Sequence, residues 1–479
     1  MGGGEIHLYR STPRQLYINK LSEGRCFQAV AARGWDRSKR IGHSSTQAEI
    51  DRSDDSARRE RMVYSLPAQR GRSTVLIIMH IVFWSPAWPL EKFHNGIVTY
   101  VHWMKLELER QGHRVSIFTN ELHPSASDPR VHEVRPSTWD KLLRRIPSRR
   151  RTREDEVFGA SSLIASAINQ LHRRDPIDVV EMEESFGWCA DVAKRTSLPV
   201  VVKLHGPAFL SMLGEELETP FGREKVEREG IALRSAAAII SPCQSTLDQT
   251  IARYALRPKL QRHIVNPMTL SKEAPIWKLN SSDRNTILFV GRFDLRKGGD
   301  IVLRAFSQIS AGGRRIKLIF AGPDVGIPGT DGNRVHFEAF RDSLFPSDQR
   351  GQIDFRGRVS NHEIAQLRTQ AMVTLVASRW ENQGYTLLEA MLQGCPVVSS
   401  DAGGCPESVF DGKTGLLAKS ENVASFAAKL TSLLDDPGKA AALGDAARRH
   451  VVAVHPASKV AADSLEVYGQ VIASHGRST

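Results

Sequence analysis

Two cations, Arg292 and Lys297, stand in the segment Gly291-Arg292-Phe293-Asp294-Leu295-Arg296-Lys297-Gly298. A planar guanidinium fork beside an ammonium point charge makes a clamp for a diphosphate leaving group. Two carboxylates, Glu381 and Glu389, bracket the segment Asn382-Gln383-Gly384-Tyr385-Thr386-Leu387-Leu388. Carboxylates accept from hydroxyls, so the pair suits a sugar and a ribose. Gly384 breaks the chain ahead of a helix that ends at Gly394, and the free N–H groups of that helix start suit a diphosphate between the two acids. Each feature also has an ordinary explanation. The cations could be solvated on a loop, and Thr386-Leu387-Leu388-Glu389 is formally a capping box. His205, in Leu204-His205-Gly206-Pro207, follows an apolar run and would face a cleft, unless it is a satisfied loop histidine. Asn95-Gly96 could let backbone approach a phosphate or could be a plain turn.

These residues need elements to hold them. Residues 75–82 form a continuous apolar run, as expected of a buried parallel strand. A loop, an amphipathic helix over 97–111 and a strand over 114–119 complete a β-α-β unit. Further strands are expected at 178–181, 199–205, 236–241 and 263–265. After a polar linker that includes Asn266-Pro267, a second series follows at 286–290, 317–321, 353–356, 373–377, 396–399 and 415–417. A helix over 459–473 ends the pattern. Two alternating α/β series predict two doubly wound parallel sheets of Rossmann-like type. The expected organisation is an N-terminal extension 1–72, a first domain 73–268, a linker 269–284, a second domain 285–456 and a C-terminal helix and tail 457–479. In such sheets ligands bind beyond the C-terminal strand ends. His205, Gly291-Arg292 and Glu381 all follow strands.

Bulk properties narrow the class. The chain has 479 residues, 41% of them apolar and 25% charged, which is ordinary for a globular protein. Its five cysteines are scattered, with no C-x-x-C pair, so a disulfide framework or structural zinc is not expected and a reducing cytoplasm fits best. No apolar stretch is long enough to span a bilayer and no secretory signal is visible. The net charge of +12 raises nucleic acid as a partner, but no nucleic-acid-binding signature accompanies it. Residues 1–72 are rich in Arg, Ser, Gly and Asp without periodicity and are expected to be disordered or, with Met62 as an alternative start, not native to the protein.

Taken together, the motifs resemble one family over about 73–471. They are Gly112-His113-Arg114-Val115, Lys203-Leu204-His205-Gly206, Asn266-Pro267, Gly291-Arg292 with Lys297-Gly298, Ala321-Gly322, Arg356-Gly357, the Glu381 to Glu389 motif, Gly394-Cys395-Pro396-Val397-Val398, Gly403-Gly404-Cys405-Pro406-Glu407 and Asp411-Gly412-Lys413-Thr414-Gly415. Singly weak, in this order they resemble the family 4 glycosyltransferases of GT-B fold. The resemblance implies a retaining hexosyltransferase with two Rossmann-like domains facing a cleft and a C-terminal helix returning to the first domain. Its donor would be a nucleotide-diphosphate sugar and its acceptor a glycan or lipid-linked molecule of cell-surface polysaccharide or glycolipid synthesis.

The resemblance assigns roles residue by residue. Arg292 and Lys297 bind the diphosphate and Gly291 lies beside them. Glu389 holds the ribose hydroxyls, Glu381 contacts the donor sugar, and His205 reaches the sugar from the opposite domain. Asn95, Gly96, Gly384, Tyr385 and Thr386 line the substrate. No cofactor or metal is implied, and no D-x-D motif is evident. Two departures stand out: Asn95-Gly96 where the family often has two glycines, and Asn382-Gln383-Gly384 where it often has Gly-Phe-Gly. A nucleotide-sugar epimerase of the same fold and a non-catalytic sugar-nucleotide-binding subunit are the alternatives. The arginine-rich segment 139–153, which includes Trp139, Leu142, Leu143 and Ile146, suggests a site at the inner face of an anionic membrane.

Overall fold

The computed structural model describes residues 78–135, 159–269, 274–329 and 332–476 with their side chains, and only backbone for short strands between Leu16 and Ile77. The arginine-rich 139–153 segment lies outside the described residues.

The first sheet has seven parallel strands in the spatial order Gln261–His263, Ala238–Ser241, Val200–Lys203, Val179–Glu183, His80–Ser85, Arg114–Thr119, Val131–Glu133. The second has six, in the order Ile353–Gly357, Lys317–Ala321, Asp283–Val290, Ala371–Val376, Val397–Ser400, Leu416–Ala418. In each sheet the chain starts near the middle, builds outward one way, then returns to build the other. The first sheet reverses between His80–Ser85 and Val179–Glu183, the second between Asp283–Val290 and Ala371–Val376. Crevices open at such reversals, beyond the carboxyl ends of the strands.

Central strands such as Val200–Lys203 and Val397–Ser400 are buried along their whole length. Burial on both faces explains why Val200, Val201 and Val202 follow one another without polar alternation. Each sheet carries its helices on both faces, and the second sheet has a core of its own around Phe289, Phe320, Met391 and Leu430.

The helix Ala457–His475 belongs to the other domain. Val460, Val467, Tyr468 and Val471 pack among Ile81, Phe83 and Val201 of the first sheet and Val101 of the helix Gly96–Arg110. Burying such apolar side chains is worth about 1.5 to 3 kcal/mol each. The Tyr468 hydroxyl also donates to the buried Glu181 carboxylate at 2.6 Å, fixing the helix in register.

The first strand differs from the sequence expectation. It runs over His80–Ser85, while Thr74–Ile77 pairs antiparallel with Arg61–Leu66 instead. A continuous apolar run does not mark its own ends. The boundary is set by His80, whose ring meets Ser116 Oγ at 2.9 Å and Pro176 O at 3.1 Å inside the sheet. The strand runs on through Phe83 and Trp84 because both are buried. Within the N-terminal extension, five short strands between Leu16 and Leu66 have paired backbone, so those stretches differ from the disorder expected for 1–72. Short alternations such as Arg61–Leu66 (RMVYSL) were masked by the surrounding charge. The rest of 1–73 lies outside the described residues.

Among the described residues no helix is long and apolar enough to cross a membrane.

Candidate functional site

The loop after Val290 is shaped by Asp294. Its Oδ1 accepts from the Lys297 backbone N–H at 2.7 Å, closing a turn, while its Oδ2 accepts from Arg292 Nε at 2.6 Å. Asp294 therefore brings both cations to one loop. The turn ends at Gly298, where φ is +72° and a Cβ would lie 2.0 Å from Ala377 O. Only glycine fits there, and the fit presses the loop onto the end of the neighbouring strand. Arg379 locks the other side. It pairs with both oxygens of Asp300 at 2.8 Å and donates to Leu295 O at 2.6 Å. The loops on either side of the reversal thus form one unit.

Lys297 crosses that unit to Glu381, with Nζ 2.5 Å from Oε2, and the Ser378 hydroxyl donates to the same oxygen at 3.2 Å. Burial pushes the Glu381 carboxyl up, but the charges of Lys297 and Arg296 and these hydrogen bonds outweigh it and hold it below the usual carboxylate range. Glu381 is accordingly an anion, suited to accept from hydroxyls and unsuited to act as a general acid. Gly384 leaves room for it, since a Cβ there would meet Glu381 Cδ at 2.9 Å.

The helix Tyr385–Gln393 starts with Gly384 as N-cap and has no side-chain cap. The capping box therefore does not form: Thr386 lies inside the helix, and Glu389 is not its reciprocal partner. Glu389 instead receives Arg368 Nη2 at 2.7 Å, and Arg368 also reaches Thr386 O at 3.4 Å and Gln393 Oε1 at 3.2 Å. Arg368 is buried, whereas the Glu389 side chain is 38% exposed and presents its remaining acceptor capacity outward.

From the first sheet, His205 follows Val200–Lys203 as expected. Its ring sits edge-on to Tyr100, 5.1 Å between centroids. Burial and the charge of Lys203 push the imidazole down to about 3, so it is neutral at physiological pH. Its loop is clamped from below by buried acids: Glu184 accepts from the His205 and Gly206 N–H groups at 2.9 and 2.6 Å, and Glu229 from Ala208 N–H at 2.8 Å. Beneath the loop, Lys203 donates to Ile264 O at 2.6 Å, and burial lowers it to about 8 against the raising effect of Glu181.

The two halves meet at these loops. A Cβ on Gly206 would lie 3.4 Å from the Trp380 ring, and one on Gly96 would lie 3.9 Å from the ring of Tyr385. Asn382 donates to Leu204 O at 3.1 Å, one peptide before His205. The structure therefore brings His205, Glu381, Lys297, Arg292 and Gly291 to facing loops, with Gly96 and Tyr385 facing each other beside them. Asn95 caps the helix that opens at the Asn95-Gly96 turn. Its Oδ1 accepts from Ile97 N–H at 2.8 Å as the N-cap of Gly96–Arg110, so that oxygen is committed to the fold. Asp436 Oδ1 in the same way accepts from Lys439 N–H at 2.8 Å as the N-cap of Pro437–Val454, and its neighbour Asp435 pairs with Arg314.

Sequence reasoning missed Asp294, Arg379, Arg368, Glu184 and Trp380. Asp294 carried a faint signal, a short polar acceptor three residues before Lys297. The others act through pairs distant in sequence and had none.

Two family models match the chain: "Glycosyl transferases group 1" over residues 271–450 and "Glycosyl transferase 4-like domain" over 95–267. A D-inositol 3-phosphate glycosyltransferase of Streptomyces bingchenggensis is 28% identical over 323 residues, covering 64% of this chain and 69% of that protein. Sucrose-phosphate synthase from Thermosynechococcus elongatus superposes with a TM-score of 0.64 at 21% identity, over 83% of this chain and 100% of the other. Anabaena HepE in complex with UDP-glucose gives a TM-score of 0.57 at 17% identity, over 82% of this chain and 100% of the other.

Proposed function

We propose that this chain, which belongs to the group 1 glycosyltransferases and has the GT-B fold, moves a hexose from a nucleotide-diphosphate sugar to a glycan or lipid-linked acceptor with retention of anomeric configuration. The observation that carries the reading is the Lys297–Glu381 pair at the second reversal point, faced by the loop that bears neutral His205. Arg292 and Lys297 stabilise the departing diphosphate, as preorganised donors do where charge develops. Glu381 accepts from sugar hydroxyls, Glu389 from the ribose, and His205 from its side offers an uncharged imidazole. Gly291, Gly96, Gly384, Tyr385 and Thr386 shape the walls around the donor.

In the transfer the bond from the anomeric carbon to the phosphate oxygen breaks, and a bond to the acceptor oxygen forms on the same face. The acceptor's proton passes to the departing diphosphate oxygen, so no enzyme nucleophile is required. The ion-paired, depressed Glu381 supports this over a proton-donating role. HepE holds UDP-glucose and the Streptomyces relative is named for an inositol phosphate, which supports a nucleotide-linked hexose and a polyhydroxylated acceptor. The arginine-rich 139–153 segment supports an acceptor at an anionic membrane surface on its cytoplasmic side.

The test is nucleotide release from a panel of UDP- and GDP-hexoses, with and without glycolipid and oligosaccharide acceptors, in excess EDTA. Acceptor-stimulated release is expected, with an α-linked product from an α-linked donor by NMR. Epimerised donor without transfer would make the chain an epimerase, and tight donor binding without release would make it a binding subunit.

A further inference from the structure

Asn382 and Gln383 are both buried, and the structure gives both side chains work. Asn382 is 4% exposed and Gln383 6%. Gln383 Oε1 accepts from the Asn266 N–H at 2.6 Å, and Gln383 O accepts from Asn266 Nδ2 at 3.0 Å. These two bonds hold the segment where the chain crosses between domains.

Asn382 reaches further. Its Oδ1 accepts from Thr246 Oγ1 at 2.9 Å, its Nδ2 donates to Leu204 O at 3.1 Å, and its own carbonyl accepts from Cys243 Sγ at 3.1 Å. All three partners lie in the first domain, while Asn382 is bonded covalently to Glu381. Glu381 is itself immobilised on the second domain: Lys297 and Ser378 hold its carboxylate, and its carbonyl accepts from Gly404 N–H at 2.8 Å. The carbonyl that Asn382 engages belongs to the residue before His205. The shortest path from His205 to Glu381 therefore runs through the Asn382 side-chain amide and crosses between domains at its bond to Leu204 O, with the bonds to Thr246 and Cys243 beside it.

We infer that Asn382 is a positioning residue: its amide fixes the loop carrying Glu381 against the strand end carrying His205, so that the two walls of the sugar pocket keep one spacing. The inference rests on the proposed roles of Glu381 and His205. An amide is required because the two contacts demand opposite ends, an acceptor for Thr246 and a donor for Leu204 O. Glycine at this position would supply neither. The nucleotide would be bound by the second domain through Arg292, Lys297 and Glu389, so the spacing governs the sugar and its transfer rather than nucleotide affinity.

The experiment compares Asn382→Ala and Asn382→Asp with wild type. Asn382→Asp keeps the acceptor but replaces the donor with an oxygen facing Leu204 O. Thr246→Val is the control that removes only one bond. Binding of UDP and GDP by calorimetry should stay within about twofold of wild type in all three. In the Asn382 variants kcat should fall at least tenfold, because a misplacement of 1 Å can cost about 10²-fold. Thr246→Val should lose less than either. A wild-type kcat in Asn382→Ala would overturn the inference, as would a parallel loss of nucleotide affinity, which marks general loosening. If Asn382→Asp does not fold, the uncharged Asn382→Ala decides. Hydrogen exchange supplies a readout independent of activity: peptides spanning 203–208 and 378–384 should exchange faster in Asn382→Ala, and unchanged exchange would refute the tie. Should the wild type bind nucleotide yet release none from any donor, the proposed function fails, and exchange alone still tests the tie.

Discussion

Replacing Lys297 by methionine keeps the stem and removes the charge. The Lys297 and Glu381 side chains are 20% and 13% exposed, so the variant leaves a mostly buried carboxylate without its cation. Breaking a buried pair costs 3–5 kcal/mol, and the residual exposure together with Ser378 and Arg296 places this one near the lower end, about 3 kcal/mol. For a domain of this size that is a fall of about 6 to 12 °C in Tm. Loss of one donor to the departing diphosphate removes a further 2–4 kcal/mol of transition-state stabilisation, roughly 30- to 900-fold in rate. The two effects separate in the double variant Lys297→Met/Glu381→Gln. A neutral amide needs no cation, so stability should return while turnover stays low.

The pH dependence carries a further signature. In the wild type Glu381 is held below its ordinary value, so its contribution to stability is present above the carboxylate range and lost as pH falls through the folded value. Without Lys297, burial, its largest influence, is less opposed and the sign moves toward a raised value. The stability gap between wild type and Lys297→Met should therefore narrow in acid. Scanning calorimetry from pH 4 to 8 and nucleotide release report the two quantities. A double variant that regains turnover with stability would refute the assignment of Lys297 to the diphosphate.

Glu229 is fully buried and raised to about 8 by burial and by Glu184. Its penalty grows as pH rises from the ordinary carboxylate range to about 8 and then levels off, so Glu229→Gln should gain stability relative to wild type over that interval, read by chemical denaturation. Gly298→Ala should destabilise by more than about 1 kcal/mol, because it adds strain at positive φ to a clash with Ala377 O; an unchanged Tm would contradict the loop geometry. The protein should co-sediment with anionic vesicles at low salt and be released by added salt, and neutralising Arg149, Arg150, Arg151 and Arg153 should weaken binding without affecting donor hydrolysis. Indifference to such vesicles would favour a soluble acceptor.

Much of the architecture was legible because buried parallel strands write themselves as apolar runs. Lys317 to Ala321 could be read to the residue, and so could the end of Asp283–Val290, whose polar first three residues hid its start. The ends of 75–82 could not, because the sheet strand starts at a histidine bonded to residues 36 and 96 positions away. Arg292, Lys297, Glu381 and His205 were legible as chemistry placed after strands. Their supports were not: Arg379 with Asp300 and Arg368 with Glu389 are pairings across the fold, and nothing in either local sequence names the partner. The capping-box pattern at Thr386 shows the reverse case. The letters were right, but the helix started two residues earlier than the pattern needs, because Gly384 lies in extended backbone and takes the N-cap position.

The return of Ala457–His475 to the first sheet has a consequence for biosynthesis. The first domain is not a contiguous stretch of chain: the face of its sheet around Ile81 and Val201 stays uncovered until residues beyond Ala457 have been made. During vectorial synthesis the second domain can close its own core first, and the earlier-made half must wait on the ribosome with an apolar face open. A nonsense codon just before Ala457 would leave every site residue in place. It would also take away the Tyr468 hydroxyl from Glu181 and leave the apolar face around it open, and the product should be a chaperone client rather than an enzyme.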